Sequence, residues 1–229
     1  MISPPRKSLP WAEVLPLDHG PWAGDVRALA ARLYPARAVE ACAALCDELP
    51  CSLLQAVPQR QYEFLVGRWL ARTLEAPCGR QGRAPLWPPG LTGSISHTRQ
   101  LVVVAVAPMG PRRCAIGLDI ERLDCDTTTR TSLARCFTHA ERRLLCAVAD
   151  GELLGFSAKE AVYKAVHAGL GLQPDFLDAE IIAVDSRWQR LVMNFGMGVD
   201  AELQVNFSQL DKHVLTACEL DEALSPKLG

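Results

Sequence analysis

Between residues 93 and 121 three short apolar runs follow one another with turn residues between them, a pattern that fits strands. Gly93 to Ser96, Leu101 to Ala107 and Cys114 to Glu121 read as strands, and Pro108-Met109-Gly110-Pro111 separates the last two. On either side the pattern changes. Residues 23 to 49 place Val26, Leu29, Ala30 and Leu33, then Val39, Ala43 and Leu45, at helical spacing, with Pro35 breaking the stretch. A second helix is predicted from about Gln59 to Leu74, with Tyr62, Leu65, Val66, Trp69 and Leu70 on one face. Residues 78 to 93 are rich in proline and glycine and predict a loop.

Leu123 to Thr131 is polar and predicts a mobile loop. Thr138-His139-Ala140-Glu141 is a capping-box pattern, so a helix should begin there. A longer helix is predicted from about Glu152 to Ala168, stopping at Gly169. Glu180 to Val184, Leu191 to Phe195, Ala201 to Phe207 and Val214 to Glu219 alternate in the manner of antiparallel strands. Helices and strands mix without a regular βαβ repeat. The expected fold class is α+β, with a break near residue 111 that makes two lobes, 1–111 and 112–229.

A chain of 229 residues, 49% hydrophobic and 22% charged, has enough apolar surface to offset the entropy of ordering. Its net charge of -2 argues against a long phosphate polymer as partner, which calls for a basic face. The first fourteen residues lack the apolar core of a signal peptide, and the run from Leu101 to Gly110 is about half of what crosses a bilayer. The expectation is a cytoplasmic monomer with no nucleic-acid or membrane partner. Nine cysteines, an odd count without a CxxC pair, read as reduced structural thiols.

Three segments carry chemistry. In Ala115-Ile116-Gly117-Leu118-Asp119-Ile120-Glu121, strand alternation points Asp119 and Glu121 to one face. Two carboxylates that close repel unless a cation lies between them, and oxygen ligands suit a hard ion such as Mg²⁺. The alternative is a strand running out into solvent. In Phe156-Ser157-Ala158-Lys159-Glu160-Ala161-Val162-Tyr163-Lys164, Glu160 and Lys164 share a helix face. A surface ion pair, or a capping box from Ser157 to Glu160, would give the same pattern. In Gly93-Ser94-Ile95-Ser96-His97-Thr98, hydroxyls and backbone N–H groups at a strand end can hold phosphate oxygens, although a histidine there is also an ordinary turn residue.

Taken together, Gly117-x-Asp119-x-Glu121 followed by Phe156-Ser157-x-Lys159-Glu160-Ala161-x-x-Lys164 resembles the paired signature of 4'-phosphopantetheinyl transferases, of the type that activates enterobactin and surfactin synthetases. Gln61-x-Glu63-Phe64-x-x-Gly67-Arg68, Arg83-Ala84-Pro85-Leu86-Trp87-Pro88 and Gly93-Ser94-Ile95-Ser96-His97-Thr98 precede it in the order of that subgroup, so the resemblance covers about residues 55 to 178. It departs from the pattern at Phe156, where tryptophan is usual, and at the arginine of Arg83-Ala84-Pro85, where some members have lysine.

The resemblance implies two similar lobes related by a pseudo-twofold, with a coenzyme cleft between them. The 1–111 lobe would contact the coenzyme A nucleotide, and the 112–229 lobe would hold Mg²⁺ (Mn²⁺ also fits) and the catalytic residues. It implies transfer of phosphopantetheine from coenzyme A to a serine of an apo acyl- or peptidyl-carrier protein. Asp119, Glu121 and Glu160 would hold the metal, Lys164 would contact the phosphate, and Lys159 would assist either at the phosphate or in the local ion network. Ser96, His97, Arg83, Arg60 and Arg68 would contact the coenzyme. Glu141 matches a position assigned as serine-proton acceptor, but it is equally the third helical residue of its capping box. Carrier proteins are generally acidic, so Arg112, Arg113, Arg135, Arg142 and Arg143 are candidates for a docking face. A magnesium-dependent phosphohydrolase and a non-catalytic nucleotide- or metal-binding module are the competing readings.

Overall fold

The structure, a computed structural model, describes residues 11–17, 20–22, 24–44, 49–77, 79–81, 84–110, 113–124, 131–187, 189–196 and 201–221. In chain order it contains β1 (Ala12–Pro16), β2 (Arg27–Leu33), α1 (Ala38–Ala44), α2 (Pro58–Thr73), β3 (Gly79–Gln81), β4 (Ala84–Leu86), β5 (Leu91–His97), β6 (Leu101–Pro108) and β7 (Ala115–Arg122). Then come α3 (His139–Leu145), α4 (Gly151–Leu170), β8 (Ala179–Asp185), β9 (Arg190–Phe195), β10 (Ala201–Leu210) and β11 (His213–Leu220). The fold is mixed α and β, with two main sheets. One has the order β1-β2-β6-β5, the other β7-β11-β10-β9-β8, and β3 pairs with β4 as a separate ribbon. Every strand pair in them is antiparallel.

Alternation along the strands sorts their side chains into three apolar layers. Val102, Val104 and Val106 of β6 pack under Leu65, Val66 and Leu70 of α2, while Leu101, Val103, Ala105 and Ala107 face the second sheet. There they meet Ile116, Leu118 and Ile120 of β7 and Leu215 and Ala217 of β11. On the far side of the second sheet, Leu154, Ala158, Ala161, Val162 and Ala165 of α4 cover Ile181, Met193, Leu203 and Val205. The order of layers is therefore helix, sheet, sheet, helix. The sheets' inner faces supply a core of their own, since apolar area removed from water stabilises by about 25 cal/mol per Å².

The two sheets also meet at their edges. Edge strand β5 runs parallel beside edge strand β7, and its hydroxyls stand where carbonyls would stand in a ladder. The Ile116 N–H donates to Thr92 Oγ1 at 3.2 Å, Leu118 N–H to Ser94 Oγ at 3.0 Å, and Ile120 N–H to Ser96 Oγ at 3.3 Å. Every second residue of β5 thus satisfies every second donor of β7, which closes two edges that would otherwise template aggregation.

One contact sets the spacing of the second half. A side chain on Gly117 would put its Cβ 1.9 Å from the Ala161 carbonyl oxygen and 2.6 Å from the Ala165 nitrogen. The α4 backbone lies directly on β7 at that point, and only glycine leaves room for it.

Several sequence expectations change. Residues 27 to 33 form a strand, not a helix: Leu29, Ala31 and Leu33 face α2 while Ala28 and Ala30 face the second sheet. Burial on both faces makes both alternating sets apolar and hides the period of two. The stretch expected as a loop contains β3 and β4. Helix α4 runs past Gly169 and ends at Gly171, whose φ of 68° suits a left-handed cap. Gly169 instead lets the helix approach Ala115, whose Cβ would stand 3.0 Å from an added methyl. The helix at α2, the Thr138–Glu141 capping box at α3 and all seven other expected strands are present with shifted ends. Cys42, Cys51, Cys114, Cys136, Cys146 and Cys218 are free thiols, while Cys46, Cys78, Cys125 and most of the expected 123–131 loop lie outside the described residues. Among the described residues no helix is long and apolar enough to cross a membrane.

Replacing Gly117 by alanine drives a methyl into backbone, which a side-chain rotation cannot relieve. We expect Gly117→Ala to lose about 3 kcal/mol, the upper end for overpacking, read as a lower urea midpoint. An unchanged midpoint would contradict the contact.

Candidate active site

Strand β7 divides its residues between two environments. Ile116, Leu118 and Ile120 point into the inter-sheet core, and Gly117, Asp119 and Glu121 point toward α4. Because Gly117 lets the helix settle, the stripe of α4 formed by Ser157, Glu160 and Lys164 lies over the two carboxylates. Asp119 is 4% exposed. Its Oδ1 accepts from Lys164 Nζ at 2.6 Å and from Ser96 Oγ at 2.8 Å, and its Oδ2 accepts from Ser157 Oγ at 2.9 Å. Lys164 Nζ also donates to Ser96 Oγ at 3.1 Å and to the Leu118 carbonyl at 3.0 Å.

Glu121 and Glu160 complete an acidic group. Burial, then the like charges of Asp119 and Glu160, push the Glu121 carboxyl up to about 7 against the pull of Lys164. Burial also raises the Glu160 carboxyl; Lys164 lowers it and Asp119 raises it again. Glutamates held this way gain from a cation, so the donor set suits a hard divalent ion. The side chains do not yet share a ligand shell: among the described residues no three His, Cys, Asp or Glu stand together closely enough to hold a metal ion. In this arrangement the cation at Asp119 is the Lys164 ammonium.

At the end of β5 a second polar group forms against α2. His97 Nδ1 lies 3.2 Å from Glu63 Oε2, and its Nε2 faces the Arg60 guanidinium. A guanidinium only donates, so Nε2 accepts and the ring is neutral with its proton on Nδ1. Burial, then Arg60 and Lys164, hold the ring's pKa down to about 4 against the opposing pull of Asp119. Glu63, 6% exposed, also accepts from Gln59 Nε2 at 3.0 Å, and sequence reasoning gave this residue no role. Arg68 lies over the Phe64 ring at 4.9 Å on the same helix, and Arg83 is outside the described residues.

Two expected roles give way to packing. Lys159, expected either at the coenzyme phosphates or in the local ion network, is 2% exposed and donates to the Cys136 carbonyl at 2.9 Å and the Phe176 carbonyl at 2.7 Å. Its third partner is Glu141 Oε1 at 2.7 Å. Three donors meet three acceptors, so Lys159 belongs to the local ion network and has no donor left for phosphate. Glu141, expected either as proton acceptor or as the third helical residue of its capping box, takes the second role and is fully buried: Oε1 also accepts from Ile181 N–H at 2.9 Å, and Oε2 from Thr138 N–H at 2.6 Å. It holds α3 and β8 together and is sealed from any incoming serine. Ser96, also expected at the phosphates, is engaged by Asp119, Lys164 and Ile120.

Of the arginines expected on a docking face, Arg113 is buried between Asp25 at 2.7 Å and Glu219 at 2.6 Å, linking the start of β2 to β11. Arg135, Arg142 and Arg143 are exposed, and Arg112 is outside the described residues. Beside Glu160 opens a cavity of about 410 Å³, lined by Val162, Tyr163, Pro174 and Phe176 among others. Sequence reasoning missed Ser157 and Thr216 as site residues. The signals were there: Ser157 shares the helix stripe of Glu160 and Lys164, and Thr216 sits in the otherwise apolar run Val214–Cys218, directly opposite Asp119.

Comparison with known proteins shows the family. A model of the 4'-phosphopantetheinyl transferase N-terminal domain matches residues 50–107, from before α2 through β6. A model of the 4'-phosphopantetheinyl transferase superfamily matches residues 115–218, from β7 into β11. Enterobactin synthase component D of Salmonella typhi is 34% identical over 109 residues, 45% of this chain and 44% of that protein. The 4'-phosphopantetheinyl transferase Svp of Streptomyces mobaraensis is 35% identical over 156 residues, 62% of this chain and 61% of its own. Enterobactin synthase component D of Escherichia coli K12 is 33% identical over 145 residues, 61% and 64% of the two chains. The matched part thus spans under two thirds of each of these relatives. With one family model on each side of the turn after β6, and the carboxylates and lysine of the second half gathered between β7 and α4, the chain belongs to the 4'-phosphopantetheinyl transferase family.

Proposed function

We propose that this protein transfers the 4'-phosphopantetheine group of coenzyme A to a serine hydroxyl of an apo acyl- or peptidyl-carrier protein, releasing 3',5'-ADP. The observation that carries the reading is the gathering of Asp119, Glu121, Glu160 and Lys164 between β7 and α4 in a chain of this family. The serine oxygen forms a new bond to the phosphorus on the pantetheine side of the pyrophosphate. The bond from that phosphorus to the bridging oxygen breaks, and the bridging oxygen leaves with the adenosine bisphosphate. The serine proton has to be taken up. Glu160, which borders the cavity, is the residue we assign to it.

Phosphoryl transfer of this kind calls mostly for positioning and charge neutralisation. Asp119, Glu121 and Glu160 are the residues that would hold Mg²⁺ or Mn²⁺, and a bound ion supplies positive charge where the bridging oxygen becomes negative. Lys164 neutralises Asp119 beforehand and stands beside the same oxygens during transfer. His97 at the end of β5 senses Lys164 and Asp119 and meets Arg60 of α2, and we assign these two, with Arg68 and Arg83, to the nucleotide end of the coenzyme. The cavity beside Glu160, lined by apolar side chains together with Gln173 and Asp175, suits the pantetheine arm, which is itself part apolar and part amide. In this reading residues 1–111 and 112–229 act as two lobes related by a pseudo-twofold, each a sheet backed by helices. The coenzyme lies in the cleft over the β5–β7 joint. The reading takes the protein as a cytoplasmic monomer and puts the acidic carrier against Arg135, Arg142 and Arg143.

Incubation with coenzyme A, Mg²⁺ and a panel of apo-carrier proteins, followed by intact-mass measurement, tests the function. We expect one phosphopantetheine added to an acceptor serine, and loss of that product in Asp119→Ala. Lys164→Ala should lower kcat/KM by about a hundredfold to a thousandfold. Hydrolysis of coenzyme A with every carrier left unmodified would point to a phosphohydrolase instead.

The raised Glu121 gives a second expectation. Its folded pKa of about 7 lies above the ordinary 4.5, so between those values the folded metal-free protein binds more protons than the unfolded chain. That contribution to stability is full below about pH 4.5 and is lost as pH rises through 7. His97 acts in the opposite sense, since its depressed pKa favours the fold as pH rises from about 4 to 6.5. A difference measurement isolates Glu121: in EDTA, the stability of Glu121→Gln relative to wild type should grow from pH 4.5 to 7. A constant difference would contradict the assignment.

A further inference from the structure

We infer that Ser157 and Thr216 are positioning residues that aim the Asp119 carboxylate at its cation, an inference that rests on the metal-dependent transfer proposed above. Both side chains are fully buried, and neither reaches solvent. Asp119 needs to be held from both oxygens if it is to keep one orientation. Oδ1 is held by Lys164 and Ser96, whereas Oδ2 is held by Ser157 Oγ at 2.9 Å.

A hydroxyl has one proton, so its direction must itself be set. Thr216 Oγ1 lies 2.9 Å from Ser157 Oγ and 2.9 Å from the Ser157 carbonyl oxygen. The carbonyl only accepts, as does the Asp119 carboxylate. Donated to Ser157 Oγ, the Thr216 proton leaves the Ser157 proton for Asp119 Oδ2; donated to the Ser157 carbonyl, it leaves Ser157 to choose between Thr216 and Asp119, and the charge-assisted bond to Asp119 is the stronger choice. Thr216 pairs with Asp119 across the β11–β7 ladder, so both side chains rise from the same face of the sheet toward α4. The close approach at Gly117 brings Ser157 down between them.

The three residues come from β7, α4 and β11, and their arrangement spends two buried hydroxyls on one carboxylate oxygen. A threonine bond to a helix carbonyl alone could be a simple packing device. What distinguishes positioning is that the chain of bonds ends on a carboxylate proposed to ligate a metal. Partners that orient a ligating carboxylate are expected to change metal affinity by about tenfold to a hundredfold when removed.

The test is the dissociation constant of Mn²⁺ in the presence of coenzyme A, followed by electron paramagnetic resonance, with thermal melting of each metal-free variant alongside. Thr216→Val keeps the shape and deletes the hydroxyl; Thr216→Ser keeps the hydroxyl and deletes a methyl. We expect Thr216→Val and Ser157→Ala to weaken Mn²⁺ binding about tenfold, with Thr216→Ser near wild type. A purely structural role predicts the reverse order for the threonine pair, or lowered melting temperatures with unaltered Mn²⁺ affinity, and either result overturns the inference. If Ser157→Ala does not fold, the threonine pair decides. If the wild-type protein itself takes up no Mn²⁺, the metal reading and this inference fall together. If it binds Mn²⁺ but loads no carrier, only the proposed reaction fails.

Discussion

The close approach of α4 to β7 at Gly117 is the constraint on which the rest of the site depends. A helix normally stands off a sheet by the thickness of two side-chain layers. Here the helix backbone occupies the space where a Cβ would be. The gap is then small enough to bridge: a serine from the helix reaches one oxygen of the strand's aspartate, and the lysine two turns further along the same stripe reaches the other. With a wider gap, Asp119 and Glu121 would face solvent, and repulsion between them would be a minor matter. Pressed under the helix, they share a desolvated space with Glu160, and burial is the largest cause of the raised pKa of both glutamates.

The β5–β7 joint supplies the other half of the arrangement. Hydroxyls in place of carbonyls hold two edge strands side by side without merging the sheets. Ser96, the last rung, accepts from the Ile120 N–H while donating to Asp119. The joint and the acidic group are thus one hydrogen-bonded system. Arg113, bonded to Asp25 and Glu219, anchors the same two halves at the opposite end of β7. Rigid attachment of this kind suits a reaction in which neutralising charge must already be in place when the bond breaks.

Much of this was legible in the chain. Alternation put Asp119 and Glu121 on one face of β7, the i,i+4 spacing put Glu160 with Lys164, and the capping box at Thr138 formed as the sequence reads. The misreadings have physical causes. The sequence leaves Lys159 between the phosphate and the local ion network, because adjacency to Glu160 does not say which way a helix residue about 100° round the axis turns. Lys159 turns inward to Glu141, and the same contact removes Glu141 from chemistry. Strand β2 is apolar on both faces and so imitates a helix pattern. Thr216 shows only as one polar residue in an apolar strand, and its meaning depends on a partner in β7 that no local pattern reveals.

The central claim is that three carboxylates, electrostatically coupled but not yet in one shell, close around a single divalent ion beside Lys164. Anomalous diffraction from crystals grown with Mn²⁺ and coenzyme A tests it most directly. The account predicts one manganese peak within coordination distance of oxygens from Asp119, Glu121 and Glu160, with Lys164 Nζ drawn away from Oδ1. A peak elsewhere, or none beside these residues with the coenzyme bound, would contradict it.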